Sequence, residues 1–329
     1  IYSFAPVFLF YQSAEITLED ITLHAGGGMG VIAHKCRDIT AHRLSVRPSG
    51  FRPMSVNCDA THFISCEGDI RFDDCYFEGM GDDAINVHGF YWLIREIGIR
   101  SVVATLDVMT QSLYPDLPDV GDTLEFVKPG TLLPFSSGRI ETVLPQGDGW
   151  TVKIGFEKEL PPELAVGDAV MNVSRKPSLR FENCTVRNIR GRAVLLQNRG
   201  AVIRNCLFED CTGEAIHITT ATGWWESGGV RDIEICDNRF IHCGFGKTTY
   251  CDAVGVVVNT ECAQQAAGVH KDICIHHNHI EGDNVGVALS SCEHVLLEGN
   301  RFHGCAPDIM VEHAGDIVVM GEPQPRVVC

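Results

Sequence analysis

Two aspartates, Asp82 and Asp83, stand side by side in GMGDDAINVHG (residues 79–89), and a third, Asp59, lies 23 residues before Asp82 in MSVNCDATHF. Grouped carboxyls can divide acid and base work. One that stays protonated donates to a leaving oxygen, while an ionised one activates water; inverting glycosidases hold such a pair roughly 6.5–9.5 Å apart. Crowding three acids pushes their pKa values apart, so that one keeps its proton near neutral pH. Read in isolation, the doublet fits a solvated turn better than a catalytic pair, and Asp59 could cap a turn. Acting together requires a fold that brings residue 59 back beside 82 and 83.

The rest of the chain offers such a fold. IRFDDCYFEGMGDDAINVHG (70–89), LRFENCTVRNIRGRAVLLQNRG (179–200) and AVIRNCLFEDCTGEAIHITT (201–220) share one pattern with IEICDNRFIHCGFG (233–246), ICIHHNHIEGDNVGVALSS (273–291) and VLLEGNRFHGCAPDIMVEH (295–313). Each opens apolar-x-apolar, reaches a Cys or Asn pivot, turns, and ends in a second short apolar alternation. The pivots are Cys75, Cys184, Cys206, Asn238, Asn278 and Asn300, with steps of 22 between Cys184 and Cys206 and between Asn278 and Asn300. Short period-2 strands recurring about every 22 residues, without a helical pattern between them, predict an all-β chain. The expected fold is a right-handed parallel β-helix with coils stacked about 4.8 Å apart. The pivots then form buried columns, Cys as a small hydrophobe and Asn as an amide ladder at a bend.

From 92 to 174 the pivot disappears. SVVATLDVM, DTLEFVK, RIETVL, WTVKIGFEK and DAVMNVS alternate with Pro- and Gly-rich turns. They predict a small antiparallel β-barrel inserted between two coils and overhanging the acid pair. The expected units are therefore β-helix over 1–91, barrel over 92–174 and β-helix again over 175–329.

Composition narrows the partners. With 26 Lys+Arg against 43 Asp+Glu the net charge is −17, which argues against nucleic acid and anionic membranes. No apolar run reaches 18 residues, so no membrane-inserted helix is expected. The first residues, IYSFAPVFLFYQ, carry no signal-peptide pattern and read as the middle of a fold, so a missing N-terminal portion is expected. The 15 cysteines lack the paired CxxC spacing of a zinc site, and the ladder accounts for most of them without disulfides.

Asp59 followed by GDDAINVH on a β-helix resembles the polygalacturonase type of glycoside hydrolase family 28. GMGDDAINVHG with a barrel directly after it more closely resembles family 110, the exo-acting, inverting α-1,3-galactosidases, which include enzymes removing the terminal galactose of the blood group B antigen. That resemblance implies Asp82 as general acid and Asp59 and Asp83 as the carboxylates holding the water. It implies a galactose-terminated glycan as partner, no cofactor and no metal, and secretion to the bacterial periplasm or surface; oligomeric state is left open. The polygalacturonase GHG and RIK motifs have no clear counterpart. Alternatives are a pectin hydrolase, a non-catalytic glycan-binding or tailspike-like β-helix, and a lyase.

Stacking names the neighbours. Arg192 and Glu214 align with Asp83, Leu195 and His217 with Asn86, and Gln197 and Thr219 with His88. Asn86, His88, Arg192, Gln197, Glu214 and His217 are candidate substrate-binding residues, each also readable as surface. Trp224 and Trp225 in TATGWWESGG could stack on galactose or plug their loop; Asp252 is a weaker candidate. GGGMG (26–30) has no following helix or Lys-Ser/Thr, so it is not read as a phosphate loop. HHNH (276–279) is read as an Asn-ladder rung flanked by surface histidines.

Overall fold

The computed structural model describes residues 5–106, 116–246, 253–321 and 326–327; Asp252 and the end of SVVATLDVM fall outside them. These residues form strands and turns and no helix. One coil runs from Thr61–Ile64 through Glu67–Asp73 and Tyr76–Glu78, and returns as Ile85 beside Thr61. Successive coils repeat this path, giving a nine-stranded sheet, an eight-stranded sheet and a third that also carries the insertion. The pairing between coils is parallel, Ile85 opposite Val194 and Val194 opposite Ile216. The chain is a parallel β-helix, as its repeat predicts.

Alternation drives it. In Glu67–Asp73, Ile70 and Phe72 are buried while Gly68 and Arg71 are exposed. Every coil thus turns the same positions inward, and like side chains stack. Phe208 and Phe240 lie with ring centroids 5.1 Å apart, Phe72 and Phe181 5.8 Å apart. Each buried Phe contributes about 1.5–3 kcal/mol.

Between the nine- and eight-stranded sheets the chain bends through one left-handed residue per coil. Asp74, Asn183, Asn205, Asp237, His277 and Gly299 have φ between 54° and 63°, and each immediately precedes a pivot. Asn, Asp and Gly tolerate that region best. The bend leaves a buried N–H that the next coil's pivot accepts. Asn238 Oδ1 takes the Cys206 N–H at 3.0 Å, Asn278 Oδ1 that of Asn238 at 3.0 Å, and Asn300 Oδ1 that of Asn278 at 3.1 Å. Cys184 and Cys206 Sγ do the same at 3.4 Å. All described cysteines are free thiols, as the ladder reading expects.

The insertion begins without a break. Strand Ile85–Ile97 starts in a coil and ends antiparallel to both Ser101–Thr105 and Ala169–Asn172. Pairing passes from Ser101–Thr105 to Thr151–Phe156, Pro134–Pro145, Thr123–Val127 and Ala169–Asn172, returning to the first strand. This antiparallel ring encloses its own core, including Trp92, Ile94, Phe126, Ile154 and Phe156. It docks on the coil of Asp59 and the coil before it. Asp116 accepts from Ser65 at 2.7 Å and meets His34 Nε2 at 2.8 Å, and Lys35 Nζ donates to Leu117 O at 2.6 Å.

Candidate active site

The acids sit where the coil turns into its third-sheet strand. Ile85 and Val87 face the core, so Asn86 and His88 face outward by alternation; Asp83 lies in the bend before the strand, where Ala84 also packs inward. The Ala60 N–H donates to Asp83 O at 2.9 Å, which puts Asp59 one rung from Asp83 in the same column. The stack partner is thus Asp83, 24 residues on, rather than Asp82. One oxygen from each of Asp59, Asp82 and Asp83 lies within 4.8 Å of the other two. That is tighter than the inverting-glycosidase spacing expected from sequence. The cause is geometric: two acids share a column at rung distance and the third is a chain neighbour. Space for the cluster depends on Gly191, where a Cβ would stand 2.6 Å from the Asp82 carbonyl carbon.

Two of the acids each have a basic partner. Arg192 grips Asp83 with Nε on Oδ1 and Nη2 on Oδ2, both at 2.9 Å, and its backbone N–H adds a bond at 3.0 Å. Asp59 Oδ2 lies 2.6 Å from His62 Nδ1. Asp82 has no such partner among the described residues. Burial, then the charges of Asp83 and Asp59, push its pKa up to about 8. Burial also pushes Asp83 upward, with Arg192 opposing. Of the three acids, Asp82 is the one whose surroundings most favour keeping a proton.

The oxygens span a distance a hard cation accepts, but Asp83 already spends both of its own on Arg192 and Asp59 one on His62. A second ligand group, Glu234, Cys236 and His276, lies on the outer face of the nine-stranded sheet. It includes the first histidine of HHNH, while Asn278 is a ladder rung as expected.

Around the acids, the register places Arg192 and Glu214 in the column of Asp83, His217 in that of Asn86 and Gln197 in that of His88. Their settings differ. Arg192 is half-buried against Asp83. Asn86 is buried with Oδ1 unpartnered. Glu214 Oε1 is 2.7 Å from His217 Nδ1, an ion-pair distance without hydrogen-bond alignment, and burial of Glu214 is outweighed by His217, so its pKa is lowered. His217 Nε2 meets Asn259 Oδ1 at 2.9 Å. His88 and Gln197 lie beneath other side chains rather than on an open wall; Gln197 donates to Glu226 Oε2 at 2.7 Å. Trp225 packs into the interface between coil and ring, the plugging role, whereas Trp224 is 45% exposed on the turn.

Four neighbours escaped the sequence reading: His62, Glu226, Lys176 and Asp116. His62 had a signal, because Asp59-x-x-His62 has the spacing of Asp83-x-x-Asn86 and Glu214-x-x-His217. Glu226 arrives through antiparallel pairing of the 221–227 turn with Gly89 and Phe90. Lys176 donates to Gln197 O at 2.9 Å and to Ser227 Oγ at 3.3 Å, and burial lowers its pKa to about 7.

Fold and site together define a parallel β-helix carrying a cluster of three aspartates. The chain is homologous to α-1,3-galactosidases. It is 30% identical over 315 residues to α-1,3-galactosidase A of Akkermansia muciniphila, covering 94% of this chain and 51% of that protein. It is 31% identical over 290 residues to α-1,3-galactosidase B of Parabacteroides distasonis, covering 83% and 47%. The Phocaeicola vulgatus α-1,3-galactosidase B is 32% identical over 264 residues, covering 76% and 44%. The chain spans about half the length of the relatives it matches. The resemblance read from GMGDDAINVHG is borne out. No family model matches the chain. Among solved structures, the family 28 exopolygalacturonase of Yersinia enterocolitica aligns with a TM-score of 0.45 at 10% identity, covering 92% of this chain and 46% of that one.

Proposed function

We propose that this chain carries the catalytic centre of an exo-acting glycosidase that removes terminal α-1,3-linked galactose with inversion. The observation that carries the reading is the arrangement of the acids: two carboxyls with basic partners beside one without, whose burial and acidic neighbours raise its pKa. In the proposed step water attacks the anomeric carbon and yields a proton to Asp59 or Asp83. The glycosidic C–O bond breaks, and its oxygen takes the proton of Asp82. Asp83, with both oxygens bound to a guanidinium, is a poor nucleophile, as is Asp59 with one oxygen held by His62; water is the better one. This supports a single displacement. The 221–227 turn, sewn to Gly89 and Phe90, walls one end of the face and suits a terminal sugar rather than a through-running polymer. Arg192, Asn86 and exposed Trp224 are the groups best placed to meet the sugar, with Glu214 and His217 behind Arg192 and with Gln197 and His88 supporting from beneath. The blood group B trisaccharide, whose galactose is α-1,3-linked, is a natural substrate to try beside a linear α-1,3-galactosyl disaccharide.

The test is galactose release followed by NMR at early times. β-Galactose appearing first from either substrate is the expected result. α-Galactose first overturns the inversion. Prompt cleavage of polygalacturonate instead would favour the pectinase, although Arg192, the cation beside the acids, is already spent on Asp83. Binding without release would favour a glycan-binding β-helix.

A further inference from the structure

His62 is buried, has no place in the proton transfers above, and is joined to the cluster by short bonds. His88 Nδ1 lies 2.9 Å from Gly89 O. A carbonyl only accepts, so Nδ1 carries the hydrogen of His88. Burial, and then the charge of His62, hold the His88 pKa well below the ordinary value, so its Nε2 is a bare acceptor. His62 Nε2 is 2.8 Å from that atom and must donate to it. At its other end His62 Nδ1 faces a carboxylate oxygen of Asp59 at 2.6 Å and donates again. Both ring nitrogens of His62 are therefore protonated.

We infer that His62 is a permanently cationic positioning residue. Fixed by His88, it holds one oxygen of Asp59 and leaves the other for the water of the proposed step. The groups facing it are consistent with this charge. Asp59 comes from its own coil, His88 and Asp83 from the next, and Glu226 from the 221–227 turn, with Glu226 Oε1 3.9 Å from His88 Nε2. Lys176 and Asp116 act on His88 from the far side. Burial opposes the charge on His62, but the hydrogen bond and charge of Asp59, followed by Glu226 and Asp83, outweigh it and raise its pKa. The catalytic consequence rests on the proposed galactosidase reading; the protonation state does not.

Two measurements separate them. The first is a long-range 1H–15N spectrum of histidine-labelled protein, with His62→Asn identifying the missing signal. The expected result is one histidine with both ring nitrogens protonated and no titration between pH 5 and 8; a neutral His62 tautomer in that range overturns the inference whatever the activity. The second is the pH profile of galactose release by His62→Asn, whose amide still donates to Asp59 but carries no charge. The acidic limb of kcat/KM should move up by about one pH unit, and kcat should fall roughly tenfold or more. The upper limb near pH 8, set by Asp82, should move up by less, since the His62 charge is the smallest of the influences that act on that carboxyl. An unmoved acidic limb overturns the positioning role while leaving the galactosidase reading intact. Should no glycan be cleaved at all, the spectrum alone still decides the charge on His62.

Discussion

Two columns of stacked residues run along this solenoid, and they obey opposite rules. At the bend between the nine- and eight-stranded sheets, Cys75, Cys184, Cys206, Asn238, Asn278 and Asn300 repeat one job, each later rung accepting the N–H of the rung before it. At the mouth of the third sheet the column reads Asp59, Asp83, Arg192, Glu214, and no rung resembles the next except the two acids. The first column is satisfied by its own repetition. The second brings like charges to rung distance, and only Arg192 and His62 make it tolerable. Asp82, beside the column, is left without a cation. Buried charge without a partner is costly, so a coil that departs from its repeat in favour of such groups gives up stability at that position. The difference teaches how to read a solenoid: columns that keep their residue type hold the fold, and a column that breaks type with charge marks the chemistry.

The sharpest way to break this comparison is Asp82→Asn. Loss of the acid should lower the galactose-release rate roughly 10²–10⁴-fold while the coils stay folded. It should also stabilise the protein in a pH-dependent way. The folded-state pKa of about 8 exceeds the ordinary 3.8, so the folded protein binds this proton more tightly than the unfolded chain does. The stability it contributes is full at low pH and is lost as pH rises through about 8. Asn cannot ionise, so the variant should melt about 2 °C or more above the parent beyond pH 8, with the gap closing toward pH 4. Equal melting temperatures at every pH would remove the claim that Asp82 is electrostatically strained. Full retained activity would remove its role as acid.

How much of this was legible without coordinates follows from the same contrast. The ladder was readable because repetition is a sequence property: six pivots with one environment declare their spacing. The three acids were readable as residue types, but counting from Asp82 instead of Asp83 misjudged the stack by one position, and in a strand one position is the opposite face. His62 was missed for that reason, since it stacks beside Asn86 only in the 24-residue register. Glu226, Lys176 and Asp116 come from the 221–227 turn, from the return out of the insertion, and from the insertion itself. Their placement depends on antiparallel pairings and docking contacts that no repeat encodes. For the same reason His88 and Gln197 looked like an open wall: alternation put them outside the coil but could not show what covers them.

A smaller effect is expected from Asn278→Ala, which tests the structural column. Asn278 Oδ1 accepts from the Asn238 backbone N–H at 3.0 Å, and its Nδ2 donates to Ile235 O at 2.9 Å. Truncation leaves the Asn238 N–H buried without its acceptor and takes the amide donor away from Ile235 O, at a cost of roughly 1–3 kcal/mol. Denaturant melts should show that loss, while galactose release per folded molecule stays at the parental value. A drop in specific activity with unchanged stability would invert the two columns' assigned roles.

The least perturbing change, and the most exacting for the comparison, is Cys206→Asn. Cys206 Sγ accepts the Cys184 N–H at 3.4 Å and faces Phe181 O at 3.4 Å. One rung on, Asn238 offers Oδ1 to the Cys206 N–H and Nδ2 to Ile203 O at 2.8 Å. An asparagine at 206 would find the same two partners in the same relative places, carbonyl oxygen and amide hydrogen, and would extend the amide ladder by one coil. Stronger bonds from an amide than from a thiol offset its larger desolvation, so the net change should stay within about 1 kcal/mol in either direction. A loss near that of Asn278→Ala would mean that the Cys and Asn rungs are not equivalent. The column would then be two structures joined end to end, and type-keeping would lose its standing as the mark of a purely structural stack.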